Sequence, residues 1–142
     1  MVDDNQFNIL AVQVLIKENF ALDVDQALNG QLAVEAYRKG FEKVCGCENR
    51  AYKLIFMDVS MPVMGGLEAS KLILEMQRDQ ALTSIVMLTA HTNQDLVEEC
   101  SSMGINTVIS KPLSFVRLHP VMYLNFYQMD LQEFKMLFKE RF

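Results

Sequence analysis

The residues that could carry chemistry stand at the ends of short apolar runs. Residues 54–57 (LIFM) stop at Asp58, residues 85–88 (IVML) stop at Thr89, and residues 107–109 run through Ser110 into Lys111-Pro112. Near the start, Val2 runs into Asp3-Asp4. A run that is apolar at every position suits a strand covered on both faces, as in a parallel sheet beneath helices. Ligands of open α/β sheets bind at the carboxyl ends of such strands. If the four runs are parallel neighbours, three carboxylates, a hydroxyl and an ammonium converge on one edge. Taken singly, Asp58 reads as a solvated loop start, Lys111 as a lysine before a turn and Thr89 as a strand-end hydroxyl. Only the ordered set argues for a site.

Three carboxylates at close quarters need a counter-charge. Two unit charges roughly 4 Å apart repel by about 4 kcal/mol at an effective dielectric of about 20. Without compensation one of Asp3, Asp4 and Asp58 would take up a proton. A hard divalent cation relieves the repulsion, and oxygen-only ligands with room for waters suit Mg²⁺. No histidine or cysteine lies near enough to the carboxylates in the pattern to suggest zinc. A carboxylate beside Mg²⁺ is a nucleophile toward a phosphoryl group, giving an aspartyl phosphate.

The ordered set VDDN (2–5), MDVSMPVMGG (57–66), LTAH (88–91) and SKP (110–112) resembles the receiver domain of two-component response regulators and hybrid histidine kinases. The resemblance spans nearly the whole chain and is closest to the receiver module of a eukaryotic-type hybrid kinase. It implies an α/β fold, a doubly wound, flavodoxin-like parallel sheet of five strands in the order 2-1-3-4-5. It implies that Asp58 is the phosphoacceptor, that Asp3, Asp4 and Asp58 hold Mg²⁺ with the backbone carbonyl of Ser60, and that Lys111 pairs with the phosphoryl oxygens. The Thr89 hydroxyl would bond one of those oxygens after transfer, and a cis bond before Pro112 would aim the lysine. Ser60 and His91, two past Asp58 and Thr89, occupy positions where receivers tune the lifetime of the phosphoryl group. Two departures stand out. Gly65 replaces a common aspartate, and Val108 replaces the Tyr or Phe that turns inward in many receivers.

The elements that must position these residues follow from periodicity and punctuation. Only Met1-Val2 precede the acid pair, whereas such a strand needs about four or five residues. The first strand is therefore expected to be truncated, as in a piece of a longer protein. Asn5 is a cap for a helix over 6–19 whose apolar stripe is wide enough to predict deep burial. Residues 22–25 alternate like a strand, Asn29-Gly30 is a turn signal, and 31–38 keeps helical register. Residues 39–51 read as a surface insertion carrying a lone Cys45-x-Cys47, too sparse for a structural zinc site. Helices are expected over 67–78 and 94–103, the latter capped by Asn93 and ended by Gly104, with strands over 85–90 and 107–110. Ser114 is a cap for a last core helix in which Pro120 removes a hydrogen bond, predicting a kink near His119 or a late start. The receiver domain is placed at 1–128. The tail 129–142 carries the amphipathic stripe Leu131, Phe134, Leu137 and Phe138, either packed on the domain or kept for a partner.

Composition narrows the functional classes. The 142 residues are 51% hydrophobic, enough for one domain with a real core. A net charge of -5 gives no electrostatic footprint for nucleic acid. No window of about 18 uncharged apolar residues predicts a membrane span, and the acidic pair at 3 and 4 is wrong for a signal peptide. Three cysteines make no disulfide framework, so a cytoplasmic, reducing compartment fits, with tethering left to a parent sensor kinase. The chain has no P-loop and no kinase glycine loop, so it is not itself a kinase. By resemblance its donor is the phosphohistidine of a histidine kinase or histidine phosphotransfer domain. Two other readings stay open. One is a degenerate receiver that binds proteins without being phosphorylated. The other is a hydrolase of the haloacid-dehalogenase kind, which would want an aspartate where Ser60 stands.

Overall fold

The computed structural model describes residues 1–42, 52–77 and 83–138. Cys45, Cys47 and most of the expected 39–51 connection lie outside the described residues, as does Arg78. Among those described, the continuous sheet has three parallel strands, β1 (Leu54–Asp58), β2 (Ser84–Thr89) and β3 (Thr107–Ser110), in the order β1-β2-β3. Their registers pair Asp58 with Leu88 and Thr89 with Ser110, so the three carboxyl ends line up. The apolar runs 54–57 of β1 and 85–88 of β2 suit strands covered on both faces, and seven of those eight residues are buried.

Beyond β1 the sheet continues only as single bridges. Val2 bridges Met57 on one side and Ala27 on the other, both parallel. The order Ala27, Val2, β1, β2, β3 is the expected 2-1-3-4-5 in reduced form. Residues 22–25 were expected to form a strand and are instead irregular, with the bridge displaced to Ala27. The pairing with Val2 is made by Ala27, whose N–H donates to Met1 O at 3.0 Å and whose carbonyl accepts from Asp3 N–H at 3.1 Å, while the Met1 amine donates to Asp25 O at 2.8 Å. Burial pushes the Met1 amine down to about 6, with Asp25 opposing the shift.

Helices flank both faces. α1 (Gln6–Phe20) and α5 (Phe115–Val121) cover one, burying Ile9, Val12, Ile16, Leu118 and Val121 against Phe56, Val86, Leu88 and Ile109. α2 (Gly30–Glu42) and α3 (Gly66–Gln77) cover the other, where Tyr37 and Ile73 meet Met57 and Met87. Cys100 of α4 (Gln94–Ser102) joins that second cluster. Asn5 and Asn93 cap α1 and α4 by accepting from the N–H of Phe7 and Leu96, and Gly104 (φ 84°) ends the turn after α4. α2 runs four residues past the expected end at 38, its last turn carrying Lys39.

Two helices differ from expectation in an informative way. α1 is not buried all round. Ile9, Val12 and Ile16 face the sheet, while Phe7 (82% exposed), Leu10 (57%) and Val14 (44%) face solvent. At about 100° per residue the two triads fall on opposite faces, and a sheet can cover only one. In α5, Pro120 is tolerated inside the helix, and the chain widens directly after it into a π-helical turn, Met122–Phe126. A missing N–H and a widened turn are linked ways of losing helical register. α6 (Leu131–Leu137) packs through Phe134, whose ring lies 6.1 Å from those of His119 and Tyr123, while Leu131 and Leu137 stay exposed.

Candidate functional site

Each chemical side chain is placed by the end of a strand. Asp58 closes β1, Thr89 closes β2, and Lys111 follows β3, its N–H donating to Thr89 O at 2.8 Å. Asp3 is held beside β1 because Val2 N–H donates to Phe56 O at 2.8 Å and Asp58 N–H donates to Val2 O at 2.9 Å. Even a single bridge residue therefore delivers the acid pair to the site.

The Lys111 ammonium bridges two carboxylates, lying 2.7 Å from Asp3 Oδ2 and 2.7 Å from Asp58 Oδ2. Asp3 is wholly buried. It also accepts from Asn5 N–H at 2.9 Å and, at 3.1 Å on each oxygen, from Asn8 Nδ2. Asp4 is exposed, and one carboxylate oxygen from each of Asp3, Asp4 and Asp58 lies within 4.8 Å of the others. One ammonium against three carboxylates leaves two negative charges, the complement of one divalent cation. The donors are all oxygens, with Asp4 open to solvent, which fits Mg²⁺ and its retained waters.

Burial pushes the Asp58 carboxyl up, opposed by the hydrogen bond and charge of Lys111, with Asp3 adding to the rise. Ser60 N–H, 3.4 Å from Asp58 Oδ1, counteracts it weakly. Burial alone would lower the Lys111 ammonium, but the two carboxylates outweigh it and hold the group above its ordinary value. The Lys111-Pro112 bond is cis, as the resemblance implies.

Asp3, Asp4, Asp58 and Lys111 are thus brought together. Thr89 stands at the same edge, but its hydroxyl is turned to its own loop, donating to His91 O at 2.8 Å and accepting from His91 N–H at 3.2 Å. Ser60 is exposed in the loop after β1. Val108 is half-buried against the core, so no aromatic occupies that position of β3.

Two further residues escaped the sequence reading. Asn8 lies one helical turn past the Asn5 cap, and that spacing, beside an acid pair, was the signal available. Gly66 opens α3, where a Cβ would stand 2.0 Å from the Asp58 carbonyl oxygen, so only glycine lets the helix approach the strand end. Val63, in the preceding loop, takes a positive φ of 71°.

A doubly wound sheet with an acid cluster and a lysine at its carboxyl edge defines an α/β domain whose site lies where ligands of open parallel sheets bind. The family model of the response regulator receiver domain matches residues 1–122, and the chain belongs to that family. The osmosensing histidine protein kinase SLN1 of Saccharomyces cerevisiae is 34% identical over 123 residues, covering 86% of this chain and 9% of SLN1. The chain thus spans a small part of that relative. Among solved structures, a co-crystal of the S. cerevisiae histidine phosphotransfer protein Ypd1 with the receiver domain of the response regulator Ssk1 matches with TM-score 0.73 and 26% identity. That match covers 92% of this chain and 89% of the other. The Borrelia burgdorferi CheX-CheY-BeF3-Mg complex matches with TM-score 0.72 and 26% identity over 87% of this chain and 84% of the other. Among the described residues no helix is long and apolar enough to cross a membrane.

Proposed function

We propose that this receiver domain is a phosphoacceptor in a two-component phosphorelay and that Asp58 takes the phosphoryl group. The observation that carries the reading is the convergence of Asp3, Asp4 and Asp58 on one oxygen-donor cluster with Lys111 bridging two of them. Asp3, Asp4 and Asp58, with the Ser60 carbonyl as a further candidate ligand, would hold a divalent cation, which when bound would neutralise charge on the phosphoryl oxygens.

An Asp58 carboxylate oxygen attacks the phosphorus of a partner's phosphohistidine. The P–N bond breaks as the P–O bond forms, and the imidazole leaves as a neutral base that keeps or takes up one proton. Lys111 leaves its bridge between Asp3 and Asp58 to follow the incoming negative charge. Thr89 gives up its bond to His91 O and donates to a phosphoryl oxygen, and the loop after β2 moves with it. With Val108 in β3, this switch runs without an aromatic partner there.

The donor is a histidine kinase or histidine phosphotransfer domain, a reading supported by the match to a receiver crystallised with such a protein. The exposed triad Phe7, Leu10 and Val14 lies on the helix that begins beside Asp3 and Asp4, where a donor reaching Asp58 would rest.

The test is phosphorylation of the chain by an acyl phosphate, with and without Mg²⁺, read by intact mass. A Mg²⁺-dependent gain of one phosphoryl group, absent in Asp58→Asn, is the expected result. No gain in a folded sample would reject the phosphoacceptor role and leave a protein-interaction module.

A further inference from the structure

Lys111 is held by its backbone as well as by its ammonium. Ser110 of β3 pairs with Thr89 of β2, and Lys111 N–H donates to Thr89 O at 2.8 Å. In a parallel ladder alternate residues turn their main-chain groups to opposite sides, so Ser110 directs its own N–H and C=O away from β2. That outward carbonyl is taken by α5. Arg117 Nη1 donates to Ser110 O at 2.8 Å and also to Ser110 Oγ. The Ser110 carbonyl and the Lys111 N–H belong to one planar peptide unit. This unit is therefore gripped at both ends, by β2 through Thr89 O and by α5 through Arg117.

The helix itself gives no reason for a cation at this place. Arg117 is the third residue of α5, where the positive end of the helix dipole opposes a guanidinium, and that first turn holds no acidic residue. Among the described residues no carboxylate forms an ion pair with Arg117. Both of its side-chain hydrogen bonds go to Ser110. A hydrogen bond from a charged donor is about twice as strong as a neutral one, so the grip on the carbonyl is firm. With the peptide plane fixed, the Lys111 Cα is fixed as well. From that anchor the ammonium reaches Asp3 Oδ2 and Asp58 Oδ2, each at 2.7 Å.

We propose that Arg117 is a positioning residue for Lys111: by clamping the peptide unit before the lysine, it holds the ammonium between Asp3 and Asp58 at rest and within reach of the phosphoryl group during transfer. The second half of this inference rests on the phosphoacceptor reading. At rest the clamp favours the lysine over a divalent cation as the counter-charge of the acid cluster. During transfer the backbone stays in place while the flexible side chain follows the incoming charge. Arg117 has no described hydrogen bond or ion pair with Asp3, Asp4 or Asp58, and it acts through Lys111.

The test is a double-mutant cycle in the full 142-residue chain, with Mg²⁺ as the probe. Arg117→Met keeps the apolar stem and removes the donors. It should bind Mg²⁺ about threefold more tightly by calorimetry, because the competing ammonium is released. Its labelling by an acyl phosphate at saturating Mg²⁺ should be on the order of tenfold slower. In the Lys111→Met background the same substitution should leave Mg²⁺ affinity unchanged. Weaker or unchanged Mg²⁺ binding in Arg117→Met overturns the proposal, since a general loss of structure would not tighten the site. The same gain of affinity in both backgrounds overturns it too, because the guanidinium would then act through its own charge. The Mg²⁺ cycle needs no phosphorylation. A parent chain that is never labelled rejects the phosphoacceptor reading and the transfer half of the inference, while the cycle still decides whether Arg117 positions the lysine at rest.

Discussion

Asn8 donates through one Nδ2 to both carboxylate oxygens of Asp3, at 3.1 Å each, so a helix side chain clamps the acid that the first bridge delivers. Asp3 is wholly buried, and hydrogen bonds to a charged group contribute about 1.5–3 kcal/mol each way they are counted. Asn8→Ala is therefore expected to lose about 2 kcal/mol of stability at neutral pH, measured by urea unfolding. A loss no larger than that of an exposed α1 control such as Gln6→Ala would show that the clamp is idle.

Lys111 is both the counter-ion of the resting site and a competitor for any cation. Removing one partner of a buried pair leaves a desolvated charge and costs about 3 kcal/mol. Lys111→Met should therefore destabilise the metal-free chain by about that amount, while Mg²⁺ binds on the order of tenfold more tightly by calorimetry. Its phosphorylation by an acyl phosphate should slow. Unchanged Mg²⁺ affinity would mean that the lysine does not hold the carboxylates as the 2.7 Å contacts imply.

Gly66 is constrained by contact and not by a left-handed backbone. An added methyl would stand 2.0 Å from Asp58 O and 3.0 Å from Met57 Cγ. Gly66→Ala should cost about 3 kcal/mol, since the strand end or the helix must shift. The neighbouring Gly65→Ala, whose Cβ meets its nearest atom at 3.4 Å, should be nearly neutral. Thermal unfolding of the pair distinguishes the two sites.

Tyr52 gives the fold an alkaline limit. Burial, then the hydrogen bond it donates to Asp25 Oδ2 at 2.9 Å, holds its phenol above the ordinary 10.0. The folded state thus keeps the proton more tightly than the unfolded chain. The contribution is intact below pH 10.0 and is lost as pH rises through the raised value. Tyr52→Phe should have a flatter Tm profile above that pH than the parent. Parallel profiles would remove the bond from the stability account.

The exposed triad on α1 separates docking from chemistry. Leu10→Glu, 57% exposed in the parent, should leave Mg²⁺-dependent labelling by an acyl phosphate unchanged. Transfer from a phosphorylated histidine phosphotransfer protein should fall by about tenfold or more, as for a lost apolar anchor. Equal rates from both donors would place the partner elsewhere.

What the sequence determined by itself was whatever is local. The Asn5 and Asn93 caps, the strands ending at Asp58 and Thr89, and β3 over Thr107–Ser110 rest on neighbours within a few residues or on unbroken apolar runs. Strand ends in turn put Asp58, Thr89 and Lys111 at one edge once the sheet is parallel. Tertiary structure decided the rest. Apolar content in α1 could not say which triad the sheet would cover, because burial depends on the face presented and not on the residues' count. Residues 22–25 had strand alternation, yet the bridge to Val2 is made at Ala27, because pairing is fixed by the partner backbone and not by alternation within one segment. The grip of Asn8 and Lys111 on Asp3 joins α1 and the loop after β3 to the start of the chain, and only the folded sheet brings those distant groups within hydrogen-bond reach.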